Sequence, residues 1–178
     1  DPLADFLGVS RISSADTSFT WSNRTNSMSI VTGGQLPIFA DKDETLKALA
    51  SPEFNPRATV YLPLAARRVV NITNQTHVQI TMRNFSAQQI ELDAQADAPA
   101  MVVIAQAFYE PWHAYVDGRR VPLWQANAAF QALEVPAGKH QVTVMYEDTI
   151  FKAGAVISLG TLLATGLSWI GLGRRRKS

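Results

Sequence analysis

The chain has 178 residues, 47% of them hydrophobic, enough for one domain with a real core and too little for two. Its formal charge of +1 hides a division: Arg174, Arg175, Arg176 and Lys177 supply four of the sixteen basic residues, leaving twelve against fifteen acidic ones, or −3, over 1–173. A mildly acidic body excludes a nucleic-acid-binding surface, which needs clustered Lys and Arg on the folded part, and the absence of cysteine excludes a disulfide scaffold, a thiol nucleophile and any Cys-ligated metal.

In chain order, LADFLGVSRI reads as one helical turn running into a strand, and TSFTW and SMSIV as short strands around the polar cluster SNRTN. Gly33-Gly34 is a loop pair. Asp41 followed three residues later by Glu44 is a capping-box arrangement, and with Leu46, Leu49 and Ala50 it predicts a short helix over about 42–50. Ser51-Pro52 and Asn55-Pro56 end that helix, because a residue before proline is pushed out of the α region. From Ala58 the period becomes two. ATVYL, RRVVNI, HVQITM, QQIELDA, MVVIAQAF, WHAYV, RVPLW, FQALEV and HQVTVMY are nine strand-like runs separated by short polar or Gly/Pro connections. The fold class they predict is mainly β: an antiparallel β-sandwich, jelly-roll-like, with one short helix.

Asp117-Gly118 is the preferred two-residue hairpin turn, and Pro136 to Gly138 a second tight turn between strands. The first fixes a register in which Val116 meets Arg119, Tyr115 meets Arg120, Ala114 meets Val121, His113 meets Pro122 and Trp112 meets Leu123. Trp112, Ala114, Val116, Val121 and Leu123 then share the core side. His113, Tyr115, Arg120 and Trp124 collect on the other, an aromatic and cationic group that is the candidate glycan-contact face. Pro122 cannot donate to a ladder, so its strand is an edge or turns outward there.

Residues 153–173, AGAVISLGTLLATGLSWIGLG, carry no charge and lie between Lys152 and RRRK. A helix of that length spans roughly 30 Å, the hydrocarbon thickness of a bilayer. The sequence therefore predicts a transmembrane helix over 152–173, with Trp169 at the interface and Arg174, Arg175, Arg176 and Lys177 as a cytoplasmic tail over 174–178. That orientation puts the body, 1–151, on the extracellular or periplasmic side. The chain opens at Asp1 without an export signal, which predicts that it is the C-terminal piece of a longer multi-pass protein.

Little in the body points to chemistry. His77, His113 and His140 lack the spacing of a helical metal pair, so no metal site is predicted short of ligands assembled across strands. Glu110 and Asp117 flank Trp112 like a glycosidase acid and base, but Asp117 has a sufficient job in its turn. Neither a Gly-rich phosphate loop nor a G-x-S-x-G elbow occurs, and no catalytic residue or cofactor is predicted. Sequons at Asn23, Asn71, Asn74 and Asn84 suit an exposed domain. Tyr109, Trp112, Tyr115 and Trp124 can stack on sugar rings, although aromatics in a sandwich more often belong to the core.

The run from Met101 to Gly154 resembles the C-terminal signature of the bacterial YfhO-like membrane proteins. It has a strand ending near Tyr109, then Val116-Asp117-Gly118 with a following Pro, the pair Asn127 and Phe130, Pro136-Ala137-Gly138-Lys139-His140, and an aromatic strand leading straight into an apolar helix. DFLGV, Leu36-Pro37 and SPEFNPR fit as well. Glu110-Pro111-Trp112 departs from the family's Pro-Gly before the Trp. The resemblance implies a polytopic parent similar to C-type glycosyltransferases, which take sugars from polyprenyl phosphates and glycosylate cell-envelope polymers outside the membrane. Their catalytic acids lie in an early outer-face loop absent from this stretch, so none is carried over. The expected partners are the bilayer, the upstream membrane region of the same protein, and an envelope glycan or polyprenyl-linked sugar. The alternative is a structural or protein-interaction sandwich with no sugar role.

Overall fold

The computed structural model describes residues 2–13 and 20–175; the side chains of 2, 3, 149, 150, 152 and 166–175 lie outside that description. By its contacts the chain divides into two units, 1–145 and 146–178.

In the first unit, α1 (Pro2–Phe6) precedes β1 (Arg11–Ser13) and β2 (Trp21–Asn23), which pair antiparallel as a small ribbon. TSFTW falls mostly on residues outside the description, and of SMSIV only the end becomes β3 (Val31–Gly33). Next come β4 (Leu36–Ala40), α2 (Lys42–Leu49) and β5 (Thr59–Pro63). The capping box forms as the spacing predicts: the Asp41 carboxylate accepts from the Glu44 N–H at 2.8 Å, and the Glu44 carboxylate from the Asp41 N–H at 3.2 Å.

Strand β4 was not visible in the sequence pattern, and it pairs with β5 in parallel rather than antiparallel. The helix between them supplies the crossover that parallel neighbours require, and Pro37 sits in a two-stranded sheet where a missing N–H is tolerated. RRVVNI is not a strand. A 3₁₀ turn covers Leu64–Arg68, and Val70 and Ile72 then alternate into the core without any ladder partner. Alternating burial is met there by an irregular strap, which period two alone does not distinguish from a strand.

The remaining strands are β6 (Val78–Phe85), β7 (Gln89–Ala96), β8 (Ala100–Ile104), β9 (Trp112–Val116), β10 (Arg119–Val121), β11 (Trp124–Ala126), β12 (Phe130–Val135) and β13 (Gly138–Tyr146). They form a five-stranded sheet in the order β10-β9-β13-β7-β6 and a four-stranded sheet in the order β11-β12-β8-β3. The pairs β9-β10, β11-β12, β8-β12, β7-β13, β3-β8 and β6-β7 are all antiparallel. Local hairpins, β6-β7, β9-β10 and β11-β12, alternate with crossings between sheets, unlike the eight-strand, double Greek-key order of a jelly roll. A bulge between Met82 and Asn84 interrupts the outermost strand, β6.

The main core lies between the sheets. Ile90, Leu92, Val142, Val144, Trp112 and Ala114 from one side meet Val102, Ile104, Leu133 and Val135 from the other. A second cluster lies on the opposite face of the four-stranded sheet, where Val60, Leu62, Ala66, Val70 and Ile72 cover Met101, Val103, Ala126 and Ala132. Phe6 joins this side through ring contacts with Phe54 and Phe130. All five residues of β8 are therefore buried, which is why MVVI reads as an unbroken apolar run while β7 and β9 alternate.

In the second unit, α3 (Thr149–Arg175) covers the stretch expected to span a membrane. Every described side chain from Phe151 to Thr165 is exposed. Among the described residues no helix is long and apolar enough to cross a membrane. The side chains of Arg174 and Arg175, and the whole of Arg176 and Lys177, lie outside the described residues.

Gly34 is a sharp steric constraint. Its φ is +89°, and a Cβ there would stand 2.0 Å from the Thr76 carbonyl oxygen, while the Thr76 N–H donates to the Gly34 carbonyl at 3.2 Å. Gly34→Ala is expected to cost at least about 2 kcal/mol, read as a fall in midpoint on chemical denaturation.

Candidate functional site

The β9-β10 turn has the backbone its residues favour: φ is +50° at Asp117 and +75° at Gly118, positive at both central positions. The register is as the turn dictates for Val116 with Arg119, Tyr115 with Arg120 and Ala114 with Val121. It stops there. Pro122 has no N–H to continue the ladder, the chain crosses to the other sheet, and the expected pairs His113 with Pro122 and Trp112 with Leu123 do not form.

That crossing splits the candidate face. His113, Tyr115 and Arg120 do share the outer side of the ribbon, with Arg120 Nη2 2.9 Å from His113 Nδ1. A guanidinium only donates, so this imidazole nitrogen accepts. His113 and Arg120 line a shallow depression of about 460 Å³ with Glu110, Phe108 and Leu123. Trp124 is elsewhere: it opens β11, faces Ala132 across the ladder and packs on the second core cluster. The Glu110-Pro111 departure leaves a closed turn, with the Trp112 N–H donating to the Tyr109 carbonyl at 3.0 Å.

Asp117 does more than turn the chain. Its Oδ1 accepts from the Gln141 N–H at 2.9 Å and its N–H donates to the Gln141 carbonyl at 2.8 Å, tying the turn to β13. Its Oδ2 lies 2.6 Å from His140 Nδ1, while His140 Nε2 lies 3.1 Å from the Ala137 carbonyl oxygen. With an acceptor at each ring nitrogen the doubly protonated imidazole is favoured, and the hydrogen bond to Asp117 raises the His140 pKa. The hydrogen bond from His140, followed by that from the Gln141 N–H, lowers the Asp117 pKa. Gly138, at φ +108°, lets the corner after Pro136 pass between the sheets. Its role is thus a crossing rather than a hairpin, since β12 and β13 lie in different sheets.

Sequence reasoning missed the largest concavity among these, a cleft of about 720 Å³. Trp124, Glu134 and Pro136 come from the four-stranded sheet and its corner, Val69 and Val70 from the strap, and Val116, Val121 and Pro122 from the hairpin and the residue after it; Asp117, Arg119 and His140 also line it. Burial raises the Glu134 carboxyl pKa, opposed by the hydrogen bond it accepts from the Asn71 backbone N–H. No single motif announces the cleft, because its residues are brought together only by the crossings. Among the described residues no group of three or more His, Asp or Glu is placed to hold a metal ion.

The Asp117–His140 pair makes stability pH-dependent with a defined sign. The raised imidazole pKa gives stabilisation that is full in acid and lost as pH rises through the folded value. The lowered carboxyl pKa gives stabilisation present above the ordinary carboxylate range and lost as pH falls through the folded value. The thermal midpoint of the protein should therefore exceed that of Asp117→Asn most near about pH 5, the gap narrowing towards about pH 9 and below about pH 3.

The comparisons with known proteins bear on what this fold belongs to. A family model described as "Bacterial membrane protein YfhO" matches residues 63–158. No curated protein and no solved structure matches the chain. The match covers more than half of the chain and takes in the five-stranded sheet, three of the four strands of the other, the candidate ribbon and the start of α3: the chain belongs to the YfhO family of bacterial membrane proteins.

Proposed function

We propose that this chain is the outward-facing β-sandwich and a membrane span of a glycosyltransferase. The parent would take sugars from polyprenyl phosphates and add them to cell-envelope glycans, with the sandwich holding acceptor glycan rather than catalysing. The observation that carries this reading is the uninterrupted family match from Pro63, at the end of β5, to Ser158 inside α3. The family model thus runs from the strands of the sandwich into the first part of α3.

The chemistry of α3 supports the membrane part. Phe151, Val156, Ile157, Leu159, Leu162 and Leu163 are all exposed, an arrangement that is costly in water and favourable in lipid. The hydroxyls that would be expensive in hydrocarbon are satisfied within the helix: Thr161 donates to the Ile157 carbonyl at 2.9 Å and Thr165 to the Thr161 carbonyl at 2.7 Å. In this reading 152–173 spans the bilayer and Arg174 to Lys177 stay in the cytoplasm.

The ribbon supports the glycan part. His113, Tyr115 and Arg120 fall on one side of the ribbon, with Arg120 beside His113, a grouping of two rings and a guanidinium suited to a polymer of hydroxyl-rich rings.

Two measurements test the reading. These 178 residues contain no cysteine, so once any cysteines elsewhere in the full-length protein are replaced by serine, a single introduced thiol reports topology. In intact cells making the full-length protein, a membrane-impermeant maleimide should label Thr81→Cys, on exposed β6, and should label Ser178→Cys only after permeabilisation; the reverse pattern sinks the orientation. Arg120→Ala should weaken envelope-glycan binding about tenfold while moving the thermal midpoint by less than about 2 °C. Trp124→Ala, by contrast, should destabilise the fold by about 3 kcal/mol because the indole packs on the second core. Unchanged glycan binding in Arg120→Ala would remove the ribbon from the contact.

A further inference from the structure

We propose that the cleft between the strap at Val69–Val70 and the β9-β10 hairpin is a separate binding site for one neutral pyranose ring, with the Trp124 indole as its apolar platform and the Glu134 carboxylate as its hydrogen-bond acceptor. This goes beyond the ribbon reading and does not depend on the reaction of the parent protein.

The placement follows from the ladder. Trp124 lies opposite Ala132, and Glu134 is two residues further along β12, so the two side chains are diagonal neighbours on one face of the sheet, within reach of long side chains. Both line the same cleft. Its volume of about 720 Å³ falls within the usual range for small-ligand sites. Val69, Val70, Val121, Pro122 and Pro136 contribute apolar lining, while Asp117, Arg119 and His140 also line the cleft.

The class of ligand follows by elimination. A carboxylate offers about four lone-pair sites, and the Asn71 N–H supplies one donor. A purely hydrocarbon occupant would desolvate the remaining lone pairs without replacing their hydrogen bonds. An anion would meet Glu134 as a like charge. An organic cation would suit Glu134 and Trp124 but would meet Arg119 and His140 elsewhere on the lining, and His140 is already engaged by Asp117 and the Ala137 carbonyl. A pyranose meets every part: its C–H face lies on the indole, hydroxyls donate to Glu134, and ring or hydroxyl oxygens accept from Arg119.

The test is calorimetric titration of the full chain in lipid nanodiscs, free of sugar-headed detergent, with methyl glucoside, methyl galactoside and N-acetylglucosamine. At least one should saturate at one site per chain. Glu134→Gln should weaken it about tenfold, the expected loss for a hydrogen bond to a charged acceptor, and should fold at least as well as the parent, since burial disfavours the charge it removes. Val69→Phe, a substitution at a half-exposed wall position, should block the cleft without touching either recognition group. Arg120→Ala should leave this binding unchanged, which separates the cleft from the ribbon. The proposal is overturned if none of the three sugars saturates, if cyclohexylammonium or inorganic phosphate saturates the site in their place, or if sugar binding survives Glu134→Gln and Val69→Phe but is lost in Arg120→Ala.

Discussion

Strand β8 has water on neither side, and much of the sandwich follows from that. One face of the four-stranded sheet packs against the five-stranded sheet, so the other needs its own cover; β5, the 3₁₀ turn and the strap through Val70 and Ile72 provide it. The five-stranded sheet carries no such demand, and its strands alternate apolar and polar. The cleft is a by-product of this asymmetry. Where the strap ends and the hairpin begins, the cover stops short and leaves Trp124 and Glu134 at the margin of the second core.

Local chemistry was legible in the sequence wherever a short-range rule acts alone. Asp41 and Glu44 specify the start of α2, and Asp117-Gly118 specifies a hairpin and its first three rungs, because each is a contact between residues close in the chain. What was not legible required knowing which sheet a residue joins. Pro122 announces the end of a ladder but not that the chain then crosses over, so three of the four candidate residues stay together and Trp124 departs. Residues 67–72 show the same ambiguity, since alternate burial of Val70 and Ile72 arises without a hydrogen-bonded neighbour. The β4-β5 pairing is parallel and depends on a helical crossover that period-two patterning does not reveal.

Long-range polar contacts complete the fold in ways that composition does not foretell. Asn127 sits at φ +48° with its Oδ1 accepting from the Tyr61 N–H at 2.8 Å, while its own N–H donates to the Tyr61 carbonyl at 2.9 Å. Side chain and backbone together imitate a rung of sheet, joining β5 to the turn before β12 across the second core. Asn is among the few non-glycine types that adopt such a backbone readily. The Asp117–His140 pair plays a comparable part on the other sheet, fastening a turn to a neighbouring strand.

The bulge in β6 bears on how that edge strand meets other extended chains. An eight-residue strand at the margin of a sheet offers unpaired amides to any other extended chain and is a template for aggregation. Here the extra residue between Met82 and Asn84 breaks the regular spacing of those amides, and Arg83, paired with Asp93 at 2.8 Å, sets a charge at the same point. A second copy approaching in register would meet a kink and a guanidinium instead of a straight ladder. That irregularity makes β6 a poor template for edge-to-edge addition of another extended chain.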